Sequence, residues 1–247
     1  MIKSKQAVID VQADKIAVAN RIAHWLVEQI EKSALRFSIC LSGGQTPKLL
    51  YQTLAQPDFA KLIPWSKVHF FWGDERFVPK NNDLSNYKMV KMALLDHVPI
   101  PQSNIHAVNT DLSEASLAAS AYEEDLQSFY GSKILKPEQA LFDVTLLGLG
   151  NDGHIASLFP NTDVLKEKSA WVKAVLGLNK EDRITLTYPA LQSSQSVAFL
   201  VTGTEKSAII KDVLDGDTDL PAGKLKPEGN LFWFLDQTAY LSSSNHH

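Results

Sequence analysis

Short apolar runs alternate along this chain with longer segments whose apolar residues recur every three or four positions. From Ala13 to Ile30, the residues Ile16, Ala19, Ile22, Ala23, Leu26, Val27 and Ile30 follow the spacing of one buried helix face. Phe37 to Leu41 reads as a short strand, Lys48 to Leu54 as a helix and Val68 to Trp72 as a second strand. Helices are expected over Ser85 to Leu95 and Ser113 to Tyr130, and a third strand over Phe142 to Leu147. Trp171 to Leu176, Arg183 to Thr187, Val197 to Val201 and Leu231 to Leu235 are further strand candidates, with a helix over Thr204 to Leu214. Such alternation predicts an α/β fold: a Rossmann-like, mostly parallel sheet with helices on both faces. The joints at Pro99-Ile100-Pro101 and Pro221 to Pro227 read as loops, so a single domain is expected over residues 1–241. Residues 242–247 read as a disordered tail, and their histidines are assigned to no site.

Composition narrows the function classes. The chain has 247 residues, of which 45 % are hydrophobic and 21 % charged, enough to bury a sizeable core. Its net charge of −4 argues against a nucleic-acid or anionic-membrane surface. An anionic metabolite remains open, because a few converging cations and backbone N–H groups suffice to bind one. Met1 to Gln6 lacks the apolar core of a signal peptide, and no stretch approaches the ~18 apolar residues of a membrane span. A cytoplasmic location is therefore expected, for a monomer or small homo-oligomer. Cys40, the only cysteine, permits no intrachain disulfide and no cysteine-based zinc site; within its apolar run it reads as a buried thiol.

Polar loops interrupt the pattern at strand ends, where ligands sit in open α/β sheets. The first is Ser42-Gly43-Gly44-Gln45-Thr46-Pro47. Its adjacent glycines and the helix start that follows suit phosphate binding, although no Gly-Lys-Ser/Thr follows to make it a nucleotide loop. The second is Gly73-Asp74-Glu75-Arg76, where Asp74 and Arg76 are expected to face a cleft and clustered charge argues against a core position. The third, Gly148-Leu149-Gly150-Asn151-Asp152-Gly153, imitates a dinucleotide fingerprint. No carboxylate ends the next strand candidate, however, and Asp152 would oppose a pyrophosphate. His154 follows directly and is the best general-base candidate in the chain. Arg183 and Lys206 are candidate cations. Lys206, in the first turn of a helix, opposes the helix dipole unless an anion is bound there.

Taken together these segments resemble the 6-phosphogluconolactonase family. The matching pieces are Ser42 to Pro47, Gly73 to Pro79 with Ser85-Asn86-Tyr87, Gly148 to Pro160, Arg183 to Thr187, Thr202 to Lys206 and Trp233 to Asp236, in the family's order. Asp152-Gly153-His154-Ile155-Ala156-Ser157-Leu158-Phe159-Pro160 is the most specific of them. Related glucosamine-6-phosphate deaminases share the fold and an Asp-Gly-His-Ile-Ala stretch, but continue Phe-Asn-Glu-Pro with a catalytic Glu. Phe159 stands where that Glu would be, and Phe cannot exchange protons. Asn151 is read as a position free to vary.

The resemblance implies hydrolysis of 6-phospho-D-glucono-1,5-lactone to 6-phosphogluconate, in the oxidative branch of the pentose phosphate pathway, without metal or cofactor. It implies that Ser42, Gly43, Gly44, Gln45 and Thr46, with Arg183 and Lys206, hold the phosphate. His154 would activate water, Arg76 or backbone N–H groups would stabilise the oxyanion, and Asp152 or Asp74 would orient the imidazole. A deaminase or isomerase and a non-catalytic sugar-phosphate sensor are the rival readings.

Overall fold

Phe37–Leu41 is buried at all five positions, and a strand of that kind requires a cover on each face. The chain meets this requirement in a computed structural model that describes residues 7–177, 180–217 and 219–244. The strands are β1 (Val8–Gln12), β2 (Phe37–Leu41), β3 (Val68–Trp72), β4 (Asp74–Arg76), β5 (Ile105–His106), β6 (Phe142–Leu147), β7 (Val172–Val175), β8 (Arg183–Leu186), β9 (Ser194–Val201) and β10 (Asn230–Asp236). The helices are α1 (Lys15–Lys32), α2 (Gln45–Leu54), α3 (Pro57–Ala60), α4 (Asn86–Ala93), α5 (Ala115–Tyr130), α6 (Tyr188–Gln192), α7 (Ser207–Leu214), α8 (Pro221–Lys224) and α9 (Gln237–Ser244).

Seven strands form one sheet in the order β1-β10-β9-β6-β2-β3-β5, and every neighbouring pair in it is parallel. Alternate side chains of a strand enter opposite layers. Along β9, Ala198 and Leu200 join the core formed with α1, α2 and α4, which includes Ile22, Trp25, Leu50 and Val90. Val197, Phe199 and Val201 join the core formed with α5, α7 and α9, which includes Tyr122, Ile210 and Ala239. The expected two-sided α/β sheet is therefore present.

A second sheet was not foreseen. β4, β8 and β7 form an antiparallel ladder in which Asp74 faces Thr185 and Arg76 faces Arg183. Asp74–Arg76 is thus a strand, not the loop expected from its charges. Asp10 and Gln12 break the apolar run of β1, and two residues are too few for β5 to show a period. Asp14 caps α1, accepting from the Ile16 and Ala17 amides at 2.8 and 2.9 Å. This start turns Ile16 outward, 58 % exposed, while Val18 and Trp25 are buried. The predicted helix over Thr204 to Leu214 opens with a 3₁₀ turn, Thr204–Lys206, before α7. Pro221–Lys224, read as loop, is the short helix α8 with proline in its first turn. α9 runs on to Ser244, into the expected tail; Asn245, His246 and His247 lie outside the described residues.

Two buried tyrosines fix the strand ends that lead into the site. Tyr51 Oη on α2 accepts from the Ser42 amide at 3.0 Å and donates to its carbonyl at 2.8 Å. Tyr122 Oη on α5 does the same for Trp72 at the end of β3, at 2.7 and 3.0 Å. Burial pushes both phenols upward, so each hydroxyl keeps its proton. Among the described residues no helix is long and apolar enough to cross a membrane.

Candidate active site

A cleft of about 630 Å³ opens over the carboxyl ends of β2, β6 and β9. Ser42, Gly43, Gly44, Gln45, Thr46, Asp74, Arg76, His154, Arg183 and Lys206 all line it. Asp152 does not, but it touches His154 from behind. Residues spread over more than 160 positions of sequence are brought together here by the parallel sheet.

One wall is the loop from β2 into α2. Gly43 must be glycine, since a Cβ there would lie 2.2 Å from Asn86 Oδ1. No described side chain caps the α2 N-terminus, so the first-turn amides remain available to an anion beside the positive end of the helix dipole. Thr46 Oγ1 meets Thr202 Oγ1 at 2.9 Å, joining this loop to the turn that carries Lys206. That turn is anchored in turn by Asp236, which accepts from the Gly203 amide at 3.1 Å. Lys206 Nζ donates to Leu149 O at 2.7 Å and Asn151 Oδ1 at 2.6 Å. Burial lowers its pKa, against the opposing pull of Glu205 and Asp152.

A second wall is the block Asp74–Tyr87. Asp74, 8 % exposed, accepts from Ser157 Oγ at 2.6 Å and from Asn86 Nδ2 at 3.2 Å. Glu75 turns away from the cleft and is 2 % exposed, which corrects the expectation that none of these charges is core. Its carboxylate accepts from the Arg76, Asn86 and Tyr87 amides, each at 2.7 Å, and from Ser85 Oγ at 3.2 Å. Two of those amides open α4, so Glu75 caps that helix from another strand. Burial raises its carboxyl pKa, and the three amide bonds pull it back. Arg76 and Arg183 oppose one another across the β4–β8 ladder. The Nε atoms of both are buried without a partner among the described residues. Burial first, and then the charge of Arg76, lowers the pKa of Arg183. Two like charges directly across a ladder destabilise it unless an anion joins them.

His154 lies in the loop after β6. Its Nδ1 meets Asp152 Oδ1 at 2.5 Å, so of the two candidate carboxylates Asp152 is the one bonded to the ring, while Asp74 bonds to Ser157 and Asn86. Burial would raise the Asp152 carboxyl, but its bonds to His154 outweigh this and its pKa is lowered. The pair rests on Gly150, where a Cβ would be 2.0 Å from His154 Nδ1 and 2.6 Å from Asp152 Oδ1. Phe159 packs on the imidazole with ring centroids 4.4 Å apart. Phe159, read from the sequence as standing where the deaminases carry Glu, therefore supports His154 by packing. Among the described residues no group of three His, Cys, Asp or Glu side chains is arranged to hold a metal ion.

Sequence reasoning missed Asn86, Lys15, Thr202 and Asp236, which line the same cleft, and Ser157, which holds Asp74. Asn86, Thr202 and Asp236 fall inside matched segments, but their chemistry became visible only once their neighbours were known. Lys15 carried no signal beyond its place at a helix start.

A family model described as glucosamine-6-phosphate isomerases/6-phosphogluconolactonase matches residues 13–233. The 6-phosphogluconolactonase of Nostoc sp. is 38 % identical over 237 residues, covering 94 % of this chain and 96 % of that one. That of Haemophilus influenzae is 36 % identical, over 81 % of this chain and 85 % of its own length. Among solved structures, 6-phosphogluconolactonase from Thermotoga maritima superposes with a TM-score of 0.80 at 32 % identity, covering 94 % of this chain and all of that one. The chain belongs to the glucosamine-6-phosphate isomerase/6-phosphogluconolactonase family.

Proposed function

We propose that this protein hydrolyses 6-phosphoglucono-δ-lactone to 6-phosphogluconate with His154 as general base. The observation that carries this reading is the Asp152–His154 couple in one cleft with an uncapped helix N-terminus, Lys206 and an arginine pair. The relatives named above are lactonases, and Phe159 in place of a catalytic carboxylate disfavours deamination.

The substrate's phosphate binds at the Ser42–Thr46 loop and Lys206, which fixes C1 against the base and removes much of the entropic barrier. Asp152 occupies His154 Nδ1, which leaves Nε2 to take a proton from water. The resulting hydroxide attacks the lactone carbonyl. Charge grows on the carbonyl oxygen, and Arg76 stabilises that charge, joined by Arg183, which stands opposite it on β8 and takes this role in place of the phosphate-binding one first expected for it. The imidazolium then returns its proton to the ring oxygen as the C1–O bond breaks. A lactone is already an activated acyl group, so the reaction needs no metal ion.

The test is proton release from freshly prepared 6-phosphoglucono-δ-lactone, measured above its spontaneous hydrolysis and compared with glucono-δ-lactone. Fast turnover of the phosphorylated lactone alone is the expected result. No turnover of either, with ammonia released from glucosamine 6-phosphate, would replace this reading with the deaminase one.

A further inference from the structure

Lys206 stands between two parts of the cleft. Its turn is tied to the Ser42–Thr46 loop through the Thr202–Thr46 hydroxyl pair. Its ammonium reaches the other way, to Leu149 O and Asn151 Oδ1 in the loop that bears Asp152 and His154. An ammonium has three protons to donate. Two are used on that loop, and the third is left for an anion in the cleft.

We propose that Asn151 is a positioning residue that, with the Leu149 carbonyl, aims Lys206 and makes it a mechanical link between the phosphate and the His154 loop. This rests on the reading that a substrate phosphate lies beside Lys206. An amide is the suitable partner for such a link. It accepts a strong hydrogen bond from the ammonium and leaves the positive charge intact for the phosphate. A carboxylate would compete with the phosphate, and Asp152 and Glu205 already add negative charge nearby. Asn151 is solvent-exposed, so its substitution leaves no hole in the core. Lys206 therefore serves turnover as well as affinity, since the Leu149–Asn151 backbone it holds leads directly into the catalytic pair.

The experiment measures 6-phosphogluconate binding by calorimetry, with kcat and KM for the lactone, in wild type, Asn151→Ala, Asn151→Asp, Lys206→Met and the Asn151→Ala/Lys206→Met double variant. Asn151→Ala is expected to weaken binding about fivefold and lower kcat about threefold, each the size of one ordinary hydrogen bond at a solvent-exposed site. In the Lys206→Met background the same change should have no further effect, because contacting residues couple. Asn151→Asp should weaken binding about tenfold or more, although it keeps size and acceptor. Wild-type binding and kcat in Asn151→Ala, losses that add in the double variant, or unimpaired binding by Asn151→Asp would each overturn the proposal alone. Absence of 6-phosphogluconate binding by wild type would overturn the substrate reading and this proposal with it.

Discussion

Asp74 and Asp152 serve the same cleft from contrasting surroundings. Asp74 is 8 % exposed, fastened by Ser157 and Asn86, and next in sequence to a glutamate that accepts four hydrogen bonds. The Asp152 side chain is 50 % exposed and bonds to His154. The first region fixes charge: a strand, a helix cap and two arginines form a rigid polar block. In the proposed mechanism the second moves protons: a glycine-rich loop holds an imidazole between a carboxylate, a phenyl ring and the Cα of Gly150. Rigid charge suits oxyanion stabilisation, which depends on preorganised dipoles. A base that must accept and release a proton requires water access, and the exposed loop provides it.

The largest effect should come from crowding the second region. Gly150→Ala places a methyl 2.0 Å from His154 Nδ1, so the imidazole must leave its carboxylate. Turnover should fall about 10²- to 10³-fold, the scale of a lost general base, while thermal unfolding shifts little. Wild-type turnover in this variant would show that the resting geometry of His154 is not the working one. Glu75→Ala strikes the first region instead. It leaves buried amides without acceptors and should cost about 2–4 kcal/mol of stability in denaturant unfolding; a loss below about 1 kcal/mol would mean that the block is held by something else. Asp152→Asn should lower kcat roughly tenfold with KM unchanged and stability within about 0.5 kcal/mol. An unfolding midpoint shifted as far as that of Glu75→Ala would erase the contrast between the regions.

The smallest effect lies outside both. His69 contacts His106 Nε2 through Nδ1 at 3.2 Å, and His106 pairs with Asp125. Burial, then the charges of His106 and Arg36, lowers the His69 pKa to about 4. An unfolded histidine titrates near about 6.5, so between these values the unfolded chain binds more protons than the folded one. Stability from this site is complete above about pH 6.5 and declines as pH falls towards 4. His69→Gln should flatten that decline slightly; an unchanged acid slope would assign it to other groups.

Much of this contrast could be read in the sequence, though not its cause. β2, β3 and β6 matched their predicted limits because a short, mostly apolar run between polar loops allows little else. The loop after β6 was equally plain as a loop, since Gly148, Gly150 and Gly153 with Asp152 end the strand pattern. What escaped was non-local. Asp74–Arg76 reads as a charged loop until Arg183–Leu186 is found pairing with it. Glu75 reads as a surface acid until the amides of α4 are seen to surround it. Asn151 read as a position free to vary, because only the folded chain brings Lys206 to it.

The central claim is that His154 is the proton acceptor of a phosphate-anchored hydrolysis, and steady-state kinetics of His154→Ala beside 6-phosphogluconate binding test it most directly. The account predicts kcat for 6-phosphoglucono-δ-lactone reduced by about 10²- to 10⁴-fold, with 6-phosphogluconate bound within about threefold of wild type. Wild-type kcat in that variant, or lost binding with kcat retained at saturation, would contradict it.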